Sequence, residues 1–437
     1  MTVSQYSNVN AKPQKKSDYR IPDLMQRNRN YDLVNIVDLT KRDKPHSVKK
    51  VYDKFSVFIA CHAFTNMAAK PQTKLVSGIK SLGDLPTTIS IITNINEETT
   101  IFQNGLITFD EGMVLGFCDP ESSTYLVELA SSSEEKLNEL NRMWEETIES
   151  SNFYRGKCLH FRKNNIVFMP TPDTTFDSVV FSPSKLENFT NNTIKFLQSK
   201  NNIKRRSVIL YGPPGTGKTT LVSSAMHEAH KMGVSSIMVT GEAFDGRFTP
   251  EHLMDFTIRF LCPALIVFED IDLLTSDRAI RPGPSSASTL IGDMLSILDG
   301  VDKRGDGLVI IATTNRLDAI DEAVVRPCRF DRRIEVGYPT LSELQTMWNK
   351  MGGRGTIPDK ILEHEKVTGA HIYEVIKSCI LFPSTPIQQV VDEVMDSFFV
   401  SAGKVGFQSR RNGGEGVTPH SPPVYNPHKT LIGPGAV

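Results

Sequence analysis

The sequence predicts an α/β protein: a parallel sheet flanked by helices, followed by a small helical lid and preceded by an α+β domain. Three observations carry this. Short apolar runs stand at Ser207–Tyr211, Ala264–Phe268 and Gly307–Ala312, as strands buried on both faces of a parallel sheet do. The first runs directly into a glycine-rich loop with a helical stretch, Leu221–Lys231, behind it. Residues 132–150 carry Leu137, Leu140, Met143, Trp144 and Ile148 three and four apart, the spacing of an amphipathic helix.

The 437 residues suffice for two or three domains. Lys plus Arg number 49 against 50 for Asp plus Glu, so bulk charge does not indicate a nucleic-acid partner or an anionic membrane. No apolar run approaches the ~18 residues of a membrane span, and residues 1–20 lack the apolar core of a secretory signal. The six scattered cysteines include no C-x-x-C pair and read as reduced thiols of a cytoplasmic protein.

In chain order, residues 1–30 are polar and predict a flexible arm. Residues 31–155 form the α+β domain. In it Val51–Ala69 fits strand or helix, while Thr87–Ile95, Thr100–Phe109, Met113–Phe117 and Thr124–Leu129 read as strands. Asn152–Lys157 reads as a solvated turn into the core domain, 156–338. There Cys158–Phe161, Ile166–Met169 and Ser236–Thr240 are expected strands, and Ser184–Lys200 one helix. Residues 339–402 predict the helical lid. Residues 403–437, rich in Gly, Pro and Ser, predict a disordered tail. His227 and His230 are three apart, not the four of an H-E-x-x-H zinc pair, and read as an exposed helix face.

The chemistry gathers at strand ends. Gly212-Pro213-Pro214-Gly215-Thr216-Gly217-Lys218-Thr219-Thr220 matches G-x-x-x-x-G-K-[ST], with the strand before and the helix after that the motif requires. Its glycines take backbone angles closed to other residues, and its N–H groups with the helix N-terminus form an anion site. Lys218 would reach the β- and γ-phosphates and Thr219 would ligate Mg²⁺. The second strand ends in Glu269-Asp270-Ile271-Asp272, where one acid can hold Mg²⁺ and the next can deprotonate a water. The third ends at Asn315, an amide suited to placing that water. Arg326, Arg329, Arg332 and Arg333 follow, and an arginine offered to a γ-phosphate spreads transition-state charge.

In this order and spacing the motifs resemble an AAA-family ATPase module over residues 176–399. Arg326-Pro327-Cys328-Arg329-Phe330-Asp331-Arg332 is similar to R-P-G-R-F-D-R, and Gly369-Ala370-His371 to the lid motif that touches nucleotide. The resemblance implies a P-loop NTPase fold and an ATP hydrolase that uses ATP and Mg²⁺. It also implies a ring, of six or sometimes seven subunits, in which Arg326 and Arg329 act on a neighbour's ATP and Asn315 is the first sensor. The expected work is remodelling, unfolding or translocating a protein client. A DNA-transacting ATPase and an ATP-binding scaffold are the alternatives.

Three departures stand out. Glu269 precedes Asp270 where the family usually has Asp then Glu, an order that resembles the mitochondrial Rieske-protein translocase branch. It makes Glu269 the metal-side acid and Asp270 the base. Cys328 replaces a glycine between the arginines. Phe248 aligns with a client-gripping pore aromatic, but Pro250 stands where that loop usually has glycine.

Overall fold

The computed structural model describes residues 46–399 apart from 71–73, 78–86, 110–111, 120–123, 200–202, 241–243, 245–248, 273–306 and 320–328. Phe248, Arg326, Cys328, the expected arm at 1–30 and the expected tail at 403–437 lie outside the described residues.

The chain enters along β1 (His46–Tyr52) and turns at Asp53. The Asp53 carboxylate accepts the N–H groups of Phe55 and Ser56 at 3.1 and 2.9 Å. This local bonding ends the strand and launches α1 (Val57–Ala68), so the ambiguous 51–69 stretch resolves into a strand end followed by a helix. Then come β2 (Lys74–Ser77), β3 (Thr88–Asn94), β4 (Glu97–Phe102), β5 (Asn104–Thr108), β6 (Met113–Asp119), β7 (Thr124–Ser131) and α2 (Glu134–Ser150). An antiparallel sheet runs β1-β7-β6-β5-β2, and β3 pairs with β4 as a separate hairpin. Residues 100–109, expected as one strand, are two. The break falls at Gln103, whose N–H turns to the carbonyl of Thr87 at 2.8 Å, so β4 stays with β3 and β5 joins β6.

The second half carries β8 (Cys158–Arg162), β9 (Asn165–Phe168), α3 (Pro183–Asn192), α4 (Ile194–Gln198), β10 (Arg205–Tyr211), α5 (Lys218–Lys231), β11 (Ser235–Val239), α6 (Pro250–Phe256), β12 (Ala264–Phe268), β13 (Leu308–Thr314) and β14 (Arg332–Glu335). The helix expected over 184–200 breaks at Thr193, whose φ of −125° and ψ of −87° leave the helical region. Its hydroxyl caps the Phe189 carbonyl at 2.8 Å instead. The sheet order is β14-β10-β13-β12-β11-β8-β9, parallel throughout except β9. Alternate residues serve opposite faces. Leu308, Ile310 and Ala312 join one apolar core while Val309 and Ile311 join the other, beneath α3 and α5.

The first of those cores continues without interruption into the N-terminal α+β region. Phe55 packs edge-on to Phe161 at 5.5 Å and lies 6.0 Å from Phe256. Tyr52 takes the indole N–H of Trp144 at 2.6 Å and meets Phe260 at 6.5 Å. The connector is not the solvated turn expected. Asn152 donates to the Phe260 carbonyl at 2.6 Å, Arg155 to the Cys262 carbonyl at 3.1 Å, and Tyr154 is buried. These carbonyls lie where α6 runs on through a π-helical turn, Thr257–Leu261, and the chain end there needs such partners.

The lid holds α7 (Leu341–Lys350), α8 (Asp359–Leu362), α9 (Gly369–Leu381) and α10 (Ile387–Phe399) around a core of its own, centred on Trp348. Thr368 caps α9: its N–H and hydroxyl meet His371 Nδ1 at 3.0 and 2.9 Å. A backbone N–H only donates, so Nδ1 accepts and the imidazole is neutral. Phe398 and Phe399 each lie 5.0 Å from the ring. Burial, and secondarily His364, push His371 below its ordinary pKa. An unfolded lid would therefore bind the proton better. Lid stability is full above the unfolded value and falls as pH drops through the folded one. With Trp144→Phe leaving Trp348 as the sole tryptophan, its fluorescence is expected to report a looser lid at about pH 5 than at neutral pH. His371→Gln should flatten that response, and an unchanged response in the Gln variant would reject the assignment.

Candidate nucleotide site

The site forms at the carboxyl edge of the parallel sheet, where chain order reverses direction. From β10 the chain crosses to β11, returns through β12 and β13 to lie beside β10, then passes to β14 on its other side. Such a switch point opens a crevice between diverging loops.

The phosphate loop leaves β10 at Gly212, whose φ is 149°. A Cβ there would sit 2.1 Å from the Val336 carbonyl oxygen, so the loop is pressed on the chain following β14 and only glycine fits. At Gly215, φ 77°, a Cβ would lie 2.8 Å from Thr368 Oγ1 and 3.1 Å from Ala370 Cβ. The lid motif thus rests on the loop, and Gly369 lies against the Gly215 carbonyl. Thr216 fastens the loop internally by donating to Pro213 O at 2.8 Å. Gly217, in the left-handed region, N-caps α5, which starts at Lys218 and not at Leu221 as expected. The first-turn N–H groups of that helix are what an anion takes up. Lys218 is 6 % exposed, and its Nζ donates to the carbonyls of Gly212 and Pro213, both at 2.8 Å. Pro214, Thr219 and Thr220 are exposed at the mouth.

The acids are held by β13. Every residue of β12 is buried, and Phe268 pairs with Ala312, which brings residues 269–270 level with Thr313. The Asp270 N–H donates to Thr313 Oγ1 at 2.9 Å, and the Ile271 N–H to the Thr313 carbonyl at 2.9 Å. Asp270 has a φ of 47°, a left-handed conformation costing roughly 1–3 kcal/mol in a non-glycine residue and typical of functional sites. Asn315 Nδ2 donates to Asp270 Oδ1 at 3.1 Å. Asp272 accepts the Thr314 hydroxyl at 2.8 Å and the Asn315 N–H at 3.3 Å. It therefore fixes the amide that faces Asp270. Its one sequence signal is its place at the same strand end, two residues on.

Electrostatics follow from burial. Burial raises the Glu269 pKa and Asp270 adds repulsion, while a hydrogen bond with Thr219 opposes both. Burial and then Asp272 raise Asp270, against Lys218 and the Asn315 bond. Burial lowers Lys218, against both Asp270 and Asp272. Glu269 Oε1 is buried with no hydrogen-bond partner. An unfilled acidic oxygen beside a threonine hydroxyl is an oxygen donor set for a hard divalent cation, so Thr219 and Glu269 fit Mg²⁺.

The fold thus gathers Lys218, Thr219, Glu269, Asp270 and Asn315, with Gly369 and Ala370 over the loop. His371 contributes through its cap: its Nδ1 is turned to Thr368, which abuts Gly215. The backbone of Arg329 is tied to Ser207 near the start of β10. Four residues of strand, about 13 Å, separate that point from the loop edge. His227 and His230 are not the exposed pair expected. Both are half-buried, and their Nδ1 atoms donate to the carbonyls of Pro172 at 2.6 Å and Gly156 at 3.1 Å. Pro250 opens α6 behind the cap residue Thr249, a place where its fixed φ and missing N–H suit a helix start.

Among comparisons with known proteins, residues 208–338 match the family model described as ATPase family associated with various cellular activities (AAA). The chain is 37% identical over 150 residues to the ATP-dependent zinc metalloprotease FtsH of Mycoplasmoides gallisepticum, covering 32% of this chain and 19% of that protein. It is 36% identical over 139 residues to the proteasome-activating nucleotidase of Methanospirillum hungatei, covering 31% and 33%. Over 212 residues it is 31% identical to the proteasome-activating nucleotidase of Methanococcus maripaludis, covering 46% and 51%. The chain therefore spans between about a fifth and a half of these curated relatives. No helix among the described residues is long and apolar enough to cross a membrane. Joined to the loop, acids and amide brought together above, the match makes residues 208–338 a P-loop domain of the AAA family.

Proposed function

We propose that this chain is an ATP-hydrolysing motor of AAA type that assembles as a ring, hexameric or else heptameric, and remodels, unfolds or translocates a protein client in the cytoplasm. One observation supports the reading: Asn315 donates to Asp270, which also feels the Lys218 charge, while Thr219 bonds Glu269. That is a base, an amide to place water, a phosphate cation and a metal pair in one pocket. The partial relatives, ATP-dependent or nucleotidase by name, support the same chemistry.

In this reading the loop Gly212–Thr220 and the lid residues Gly369, Ala370 and His371 hold ATP. Thr219 and Glu269 hold Mg²⁺, whose charge would neutralise phosphate oxygens. Asp270 takes the proton of the attacking water, and its raised pKa strengthens it as an acceptor. Arg326 and Arg329 serve the adjoining subunit's pocket. Phe248, outside the described residues, is the proposed grip on client. The near-neutral net charge gives no support to a DNA partner.

Asp270→Asn removes the proton acceptor while keeping an Asn315 partner. It is expected to lower ATP turnover about 10²–10⁴-fold with nucleotide binding retained, whereas full turnover would move the base elsewhere. Turnover per subunit of the wild-type chain should rise with protein concentration, since a pocket completed in trans needs a neighbour. Constant turnover from a strict monomer in analytical ultracentrifugation would refute the ring. Phe248→Ala should leave ATP turnover intact and abolish client remodelling; retention of both argues against the grip.

A further inference from the structure

We infer that Asp331, acting through the buried Ser207, is the positioning residue for Arg329, the arginine each subunit presents to its neighbour's ATP. This rests on the shared-pocket reading and adds to it a mount that ties the presented arginine to the strand carrying the subunit's own phosphate loop.

The mount is built from both ends of a three-residue segment. Ser207 is fully buried. Its backbone N–H lies one residue before the β10–β14 ladder, which begins with Val208 opposite Arg332. In place of a strand carbonyl, that N–H finds the Asp331 carboxylate, Oδ2, at 2.8 Å. The Ser207 hydroxyl accepts the Asp331 N–H at 3.1 Å. Its single proton serves the Arg329 carbonyl at 2.7 Å or Asp331 Oδ2 at 2.9 Å. The second carboxylate oxygen, Oδ1, faces Arg206 at 3.9 Å. Arg206 is itself held by α3, donating through Nε and a terminal nitrogen to Asn192 Oδ1 at 2.8 and 2.6 Å. Between the two tied residues, Phe330 is buried in the core. Residues 329–331 are thus pinned by carbonyl, ring and carboxylate in succession, with the Arg329 side chain leaving from a fixed backbone.

A generic fold contact would not need this much. A strand edge requires one acceptor for the Ser207 N–H, yet here the serine also bonds the carbonyl of the arginine itself. Part-buried charge-assisted bonds of this kind hold geometry tightly. An arginine finger depends on geometry, because misplacement by about 1 Å can cost about 10²-fold in rate. The same strand runs from Ser207 to Tyr211 and enters Gly212. A shift of the loop on nucleotide exchange would therefore be felt at the Arg329 backbone.

The test uses full-length chains and exploits the separation of roles. Asp331→Ala, or Ser207→Ala should the first not fold, is measured for ATP turnover alone. It is then mixed equally with Asp270→Asn, which has a dead pocket but an intact finger. Arg329→Ala mixed with Asp270→Asn is the control. Alone, each mount variant is expected to lose about 10²-fold in turnover with nucleotide affinity unchanged. Asp331→Asn, which keeps an oxygen acceptor for Ser207, should retain most activity. In the mixture, turnover should return, because the variant's own pocket is whole and the partner supplies the arginine. Return in the control without return for the mount variants would show that Asp331 serves its own pocket, overturning the inference and leaving the ring reading intact. No return in the control would overturn the shared pocket, and the inference with it.

Discussion

The pairing of β12 with β13 is the constraint on which the chemistry of this chain depends. Phe268 opposite Ala312 sets the level at which the two strands end, and every later contact is counted from there. Thr313 catches the Asp270 N–H, Thr314 catches the Asp272 carboxylate, and Asn315 reaches back to the Asp270 side chain. A slip of one residue would turn each of these groups to the opposite face. The register is protected because both faces of both strands are buried, so a slip would also misplace Val267, Ile266, Val309 and Ile310 between two cores. Packing that carries no chemistry therefore holds the acids to within hydrogen-bond tolerance.

The pocket is also costly in isolation. Three carboxylates and a lysine are drawn into a partly desolvated crevice. The Asp270 backbone is left-handed, and one oxygen of Glu269 has no hydrogen-bond donor. Desolvation disfavours the charged forms of Glu269, Asp270 and Lys218, while acid and ammonium restore one another only in part. Local departures of this kind concentrate where a ligand is to be received. A polyanion carrying a divalent cation is a fitting complement: the anion suits Lys218 and the helix start, and the cation suits Glu269.

Much of this was legible in the sequence, for identifiable reasons. The parallel strands announce themselves as uninterrupted apolar runs, and Ala264–Phe268 is a strand over those same residues. Gly212, Gly215 and Gly217 mark positive φ angles, and the order of strand ends places Asn315 beside Asp270. What was illegible depends on groups far apart in sequence. Asp331 and Ser207 are 124 residues apart, and neither carries a local pattern. Asp272 looks like any surface acid until Thr314 and Asn315 are folded against it. The helix break at Thr193 turns on a competition between one hydroxyl and the backbone, which periodicity does not register. The histidines of α5 looked solvated because helical spacing says nothing of the Pro172 and Gly156 carbonyls lying across them.

The continuous apolar seam between the N-terminal region and the large sheet has a consequence for how such a protein could be recombined. Phe55, Tyr52 and Trp144 are sealed by Phe161, Phe256 and Phe260. A chimaera that grafted residues 46–155 onto another sheet would therefore expose apolar surface unless counterparts of Phe161, Phe256 and Phe260 met the graft. A different front half would need a different set of aromatics along this edge of the sheet.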